Sequence, residues 1–189
     1  MKRASQTKPE TSFPLDSSAV IHLAAHRPDH ANTFRFHAEL HDEVDPAILQ
    51  RAVDAVAPRF PTIVAGIQVE RKDHRVVSRP TLVVQPDTAL LAHMSTKEIE
   101  RCAMRILHGP RSIALELFHS ITDGHGAIVF MNTLLATYFE MKDAQTPFAY
   151  TRSAFVLDPM EAPREEELSD DYPAFAKPPA TPPNRRRVY

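Results

Sequence analysis

The chain has one cysteine, Cys102, no tryptophan and only four glycines in 189 residues. A lone cysteine excludes an internal disulfide and suits a reducing compartment, so the expected location is cytoplasmic. No apolar run approaches the roughly 20 residues that a membrane-spanning helix needs. The opening MKRASQTKPETSFPLDSS has basic residues but no apolar stretch behind them, unlike a secretory signal. The formal net charge is −2, which leaves no basic footprint for nucleic acid. A phosphate cradle of the G-x-x-x-x-G-K type is also missing. What is present, 43% hydrophobic and 24% charged residues, is the make-up of an ordinary globular domain with its own core.

Ten histidines raise the question of a metal. His22, His26 and His30 are evenly spaced, and His37 and His41 would share one face of a strand. None falls in a C-x-x-C or H-E-x-x-H pattern, and Cys102 has no second thiol. Scattered surface histidines are the plainer reading, and no metal ligand is assigned.

Two of the scarce glycines lie in one turn, and the rest of the chain is best understood as its support. In RSIALELFHSITDGHG (111–126), Ile113, Leu115 and Leu117 alternate with Ala114, Glu116 and Phe118, the period of a strand. The strand ends at His119, and a helical apolar pattern begins just after Asp123-Gly124, over about 125–141. That helix is expected to bury Ile128, Val129, Met131, Leu134, Leu135, Tyr138 and Phe139. Gly124 and Gly126 point to unusual backbone angles or a close approach. An imidazole at such a strand end can take a proton from a hydroxyl or thiol, because imidazoles titrate near neutrality. Asp123 would hold either that imidazole directly or the turn that aims it.

Upstream, residues 1–13 are polar and read as a flexible arm. AVIHLAA, near 19–25, reads as a first strand. TFRFHAELH (33–41) alternates cleanly, with Phe34, Phe36, Ala38 and Leu40 on one face and Arg35, His37 and Glu39 on the other. An arginine in mid-sheet needs a partner or solvent. Asp45 is a good N-cap with Pro46 at the first helical position, opening a helix over about 45–57. Strands follow at 63–71, in RVVS and in TLVV (81–84). Ser95 and Glu98 have capping-box spacing. CAMRILH (102–108) and SIALELF (112–118) form a hairpin around Gly109-Pro110-Arg111. After Thr146 the chain becomes proline-rich with acidic and basic runs, so 147–189 reads as a linker or extended arm and 14–146 as the folded domain.

HSITDGHG resembles the H-H-x-x-x-D-G motif of the chloramphenicol acetyltransferase-like superfamily, which includes the condensation domains of peptide synthetases. The first motif histidine is Phe118 here, and the second is kept as His119. The chain is most similar to bacterial alcohol acetyltransferase-like proteins. That similarity rests on Leu15-Asp16-Ser17-Ser18-Ala19, Phe34-Arg35-Phe36, Val44-Asp45-Pro46, Ile48-Leu49-Gln50, Arg59-Phe60-Pro61 and the run IALELFHSITDGHGAIVFMNTLLATYF, in that order over about residues 14–139.

The resemblance implies an α/β fold, a two-layer sandwich of a mixed, mostly antiparallel sheet with helices on one face. It implies an acyltransferase in which His119 is the general base on an alcohol or other small nucleophile. The donor is an acyl-CoA or acyl-carrier thioester used as co-substrate, with no permanently bound cofactor. Asp123 would be structural, paired with an arginine, for which Arg35 and Arg59 are the candidates; Gly124 would allow the turn. The family's second half, with its D-F-G-W-G-like segment, has no counterpart here. The chain is therefore expected to be an N-terminal half, inactive alone and completed by a second half or by self-association. The alternative is a non-catalytic condensation-like module for binding or assembly.

Overall fold

The computed structural model describes residues 11–71, 73–79, 81–88, 91–143 and 155–168. In chain order the elements are β1 (Ser12–Pro14), α1 (Ser17–Ala24), β2 (Thr33–Glu39), α2 (Pro46–Val56), β3 (Ala65–Glu70), β4 (Asp73–Ser78) and β5 (Gln85–Pro86). Then come α3 (Thr96–Arg101), β6 (Met104–Gly109), β7 (Ser112–Phe118) and α4 (Gly124–Lys142). The fold is mixed α/β, with helices packed on one face of mostly antiparallel strands.

The strands fall into two sheets, ordered β1-β4-β3 and β2-β7-β6-β5, and only the β5–β6 pairing is parallel. A seam joins them. Ala103 donates its N–H to Ala65 O (2.8 Å), and Phe118 donates to Ala103 O (2.9 Å). Gly66 makes the seam possible, because a Cβ there would stand inside the van der Waals radius of the Glu100 carbonyl oxygen.

One face of the larger sheet is apolar. Leu115, Leu117, Ile113, Met104 and Ile106 are all essentially buried and join one cluster with Leu49, Val53 and Val56 of α2 and Phe130, Leu134 and Tyr138 of α4. The period-2 alternation of β2 and β7 and the helical stripe of α4 are the cause, since each places its apolar side chains on one side. Ile128 departs from the expected stripe and is 38% exposed. Both sequence-predicted caps form: Asp45 Oδ1 accepts from Ala47 (2.8 Å) and Ile48 (3.1 Å), and Ser95 and Glu98 complete a capping box.

The opposite face holds a charged row set by register, with Arg35 opposite Glu116 and Glu116 opposite Arg105. Glu116 is 1% exposed and accepts from Arg35 Nη1 (3.3 Å) and Arg105 Nη1 (2.9 Å). Arg35 also pairs with Asp87, and Arg105 reaches Glu98 (2.8 Å). Burial alone would raise the Glu98 carboxyl, but hydrogen bonds from Ser95 and Arg105 outweigh it and hold it at about 2.

Several expectations change. The segment read as a strand at 19–25 is helix α1. Asp16 accepts from the Ser18 N–H (2.7 Å) and nucleates a turn, which overrides the β-branched Val20 and Ile21. TLVV is not a strand: Gln50 of α2 takes its place as partner, donating to Leu82 O (2.8 Å) and accepting from Val84 N (2.9 Å). Pairing resumes only at β5. The expected 1–13 arm ends in β1, which pairs with β4, and residues 1–10 lie outside the described residues. Cys102 is the C-cap of α3, not the start of β6, and burial pushes its thiol up. Part of the proline-rich stretch, 155–168, lies against the domain: Leu157 N–H donates to Thr133 Oγ1 (3.0 Å), and the Phe155 ring meets His125 at 5.5 Å. The remainder, 147–154 and 169–189, falls outside the described residues. Among the described residues no helix is long and apolar enough to cross a membrane.

Candidate functional site

β7 is paired on both sides, with β2 and β6, so its end is a rigid mount. Phe118, its last residue, is fully buried on the side of Glu116 and meets the His26 ring edge-on at 5.0 Å. His119 follows the last residue of the strand, in the turn, and is exposed. Its N–H donates to Asn32 O (2.8 Å).

The His119 ring packs against two other rings. His22 of α1 stacks on it at 4.7 Å between centroids, tilted by only 12°, and Phe34 lies at 4.5 Å and 44°. Among the described residues the ring nitrogens of His119 take no hydrogen bond. Two bonds fasten α1 across the turn. Ser120 Oγ donates to Ala19 O (2.7 Å), and Asn32 Nδ2 donates to His22 O (2.9 Å). An exposed imidazole stacked through its face can still accept a proton through its ring nitrogens.

Asp123 is the N-cap of α4, its Oδ1 accepting from the Gly126 N–H at 2.9 Å. The structure gives the two expected arginines, Arg35 and Arg59, other partners. Among the described residues Asp123 makes no ion pair, because both candidates are engaged elsewhere. Arg35 lies between Asp87 and Glu116. Arg59, 3% exposed, takes Glu167 of the C-terminal segment, with Nη2 at 2.8 Å from Oε1. That hydrogen bond raises the Arg59 guanidinium and lowers the Glu167 carboxyl. Gly124 also proves less constrained than expected: no glycine has a left-handed φ, and a Cβ at 124 would meet nothing within 4 Å. Gly126 is the crowded one, against Thr122 Oγ1.

Beside the turn runs a groove of about 560 Å³ lined by Phe13, Leu15, Val76, Ser120, Ile121 and Leu168. Sequence reasoning missed His22, Asn32 and Ser120. An Asp16 cap would have placed His22 on a helix, but only the long-range contact brings it to His119. The other spaced histidines do not converge, and among the described residues no three His, Cys, Asp or Glu side chains gather in a metal-holding group.

The sequence matches no protein-family model and no curated protein. Solved structures do resemble the fold. One is polyketide synthase associated protein 5 from Mycobacterium tuberculosis, 17% identical over 74% of this chain and 36% of its own, with a TM-score of 0.53. Another is the starter condensation domain of rhizomide synthetase RzmA, 15% identical over 74% and 40%, at 0.55. The X-domain in complex with OxyB from teicoplanin biosynthesis is 16% identical over 79% and 38%, at 0.56. The chain thus spans well under half the length of the structures it matches, and it has the fold of a condensation-domain half.

Proposed function

We propose that this chain contributes the base-bearing half of an acyltransferase, passing an acyl group from a thioester to an alcohol or other small nucleophile. What carries the reading is His119, mounted at the end of a central strand, stacked on His22, in contact with Phe34 and exposed. Its imidazole takes the acceptor's proton as the acceptor oxygen attacks the thioester carbonyl. The tetrahedral intermediate then collapses and expels the thiolate, which the same proton neutralises. Asp123 acts through the turn, by capping α4. A thioester donor is supported by a variant of the RzmA starter domain solved in complex with C8-CoA, which is 14% identical over 73% of this chain at a TM-score of 0.56. The donor channel is completed by a second unit.

The test is octanoyl-CoA with a panel of short alcohols and amines, followed by thiol release and product mass over a range of protein concentration. Turnover that rises faster than linearly with concentration, and falls about 10²–10⁴-fold in His119→Ala, is expected. A folded His119→Ala protein with the wild-type rate would sink the assignment. A second reading, an assembly module, is favoured by the likeness to the X-domain bound to OxyB. Absence of thioester turnover at every concentration would decide for it.

A further inference from the structure

The face-to-face contact of two imidazoles is the least expected feature of the turn. Aromatic rings attract one another beyond area burial when their centroids lie about 4.5 to 7 Å apart. His22 and His119 meet that condition, at 4.7 Å and 12°. Asn32 then ties the two residues to each other. Its side chain donates to the carbonyl of His22, while its own carbonyl accepts from the backbone of His119. One residue therefore sets both the backbone that carries His119 and the helix position that carries the ring stacked on it.

We propose that His22 is a positioning residue for His119, fixing the plane in which the two nitrogens of the His119 ring point. The proposal rests on the reading of His119 as the base. The chemistry is directional, because an imidazole accepts a proton through an in-plane lone pair at the ring edge. Packing by the edge would block that lone pair, whereas packing by the faces leaves it open and removes ring rotation. Phe34 meets the ring at a 44° tilt and is not stacked on it, so the loss of His22 removes the parallel contact and leaves only the tilted one. Ser120 Oγ bonded to Ala19 O keeps α1 from lifting away and carries no part of the stack itself. His22 does not exchange the proton in this scheme, so an aromatic side chain without nitrogen can replace it.

Three proteins decide the matter: wild type, His22→Ala and His22→Phe. In solution NMR the His119 ring protons are expected to show the ring-current shift and the short interproton contacts of a stacked neighbour in wild type and His22→Phe, and to lose them in His22→Ala. In the thioester assay, turnover of His22→Ala is expected to fall about 10- to 100-fold with an unchanged KM for the donor. His22→Phe restores it. A His22→Phe enzyme as slow as His22→Ala overturns the proposal, since His22 would then be moving a proton itself. So does a His119 spectrum indifferent to His22→Ala. Should His22→Ala not fold, the absence of His22–His119 ring contacts in the wild-type spectrum overturns it alone. If no protein turns over thioester while the spectra behave as expected, the base reading fails and the positioning of the ring stands.

Discussion

Glu116 and His119 are three residues apart at the end of one chain segment, yet their surroundings are opposites. Glu116 is buried, and both of its oxygens are taken by arginines from the two flanking strands. His119 is exposed, its ring is stacked on His22, and its nitrogens are free of hydrogen bonds among the described residues. A fully satisfied charge inside a sheet specifies the sheet and has nothing left with which to react. A ring held only by dispersion contributes little to folding and keeps its reactive atoms available. The contrast separates the fold from the chemistry within one turn of chain.

The comparison breaks most visibly at Glu116. Glu116→Gln leaves Arg35 and Arg105 facing one another across a neutral amide, and removal of one partner of a buried pair costs about 3–5 kcal/mol. A urea midpoint equal to wild type would show that the row is cosmetic. Next is Asp123. Asp123→Ala should cost about 1 kcal/mol through the lost α4 cap, whereas Asp123→Asn, an equally good cap, should keep the wild-type melting temperature. A large loss in Asp123→Asn would reveal a charged partner for it.

Acidity sharpens the contrast further. Burial, and then the stacked His93 ring at 4.5 Å, hold His26 below its ordinary value of 6.5. The unfolded chain therefore binds a proton that the folded one refuses, and stability present above about pH 6.5 is lost as pH falls through that range. Glu98, held at about 2 against 4.5, adds a second loss as pH falls from 4.5 towards 2, within about 1 kcal/mol given its exposure. His26→Phe should flatten the first limb of a melting-against-pH curve, and Glu98→Gln the second. The smallest effect is expected at His119, where alanine should change stability by no more than about 0.5 kcal/mol while removing turnover. Loss of the fold in that variant would erase the distinction.

What the sequence disclosed follows from how local each signal is. The Gly109–Arg111 hairpin, the Asp45 and Ser95 caps and the buried face of α4 each arise from neighbours within a few positions, so pattern alone finds them. Helix α1 was masked because Val20 and Ile21 favour strands, and the Asp16 cap that decides the matter is a single side chain. The lost strand at 81–84 depends on Gln50, more than 30 positions earlier. The arginine partners are further still, with Glu167 lying 108 positions from Arg59. His119 itself was readable from its motif, but its stacked neighbour was not, because no spacing rule relates position 22 to position 119.

Gly66 has a consequence at the level of the gene. Glycine codons all begin with GG, and every single-base change that alters the amino acid introduces a side chain with a Cβ or a stop. At position 66 each such residue would collide with the backbone of Glu100, a group that cannot rotate aside. The seam between the sheets is thus closed to single mutational steps, while Gly124, with open space around it, accepts alanine. In a saturation library the row for 66 should hold glycine alone and the row for 124 should fill. Drift in this protein is confined to paths on which the two sheets stay joined.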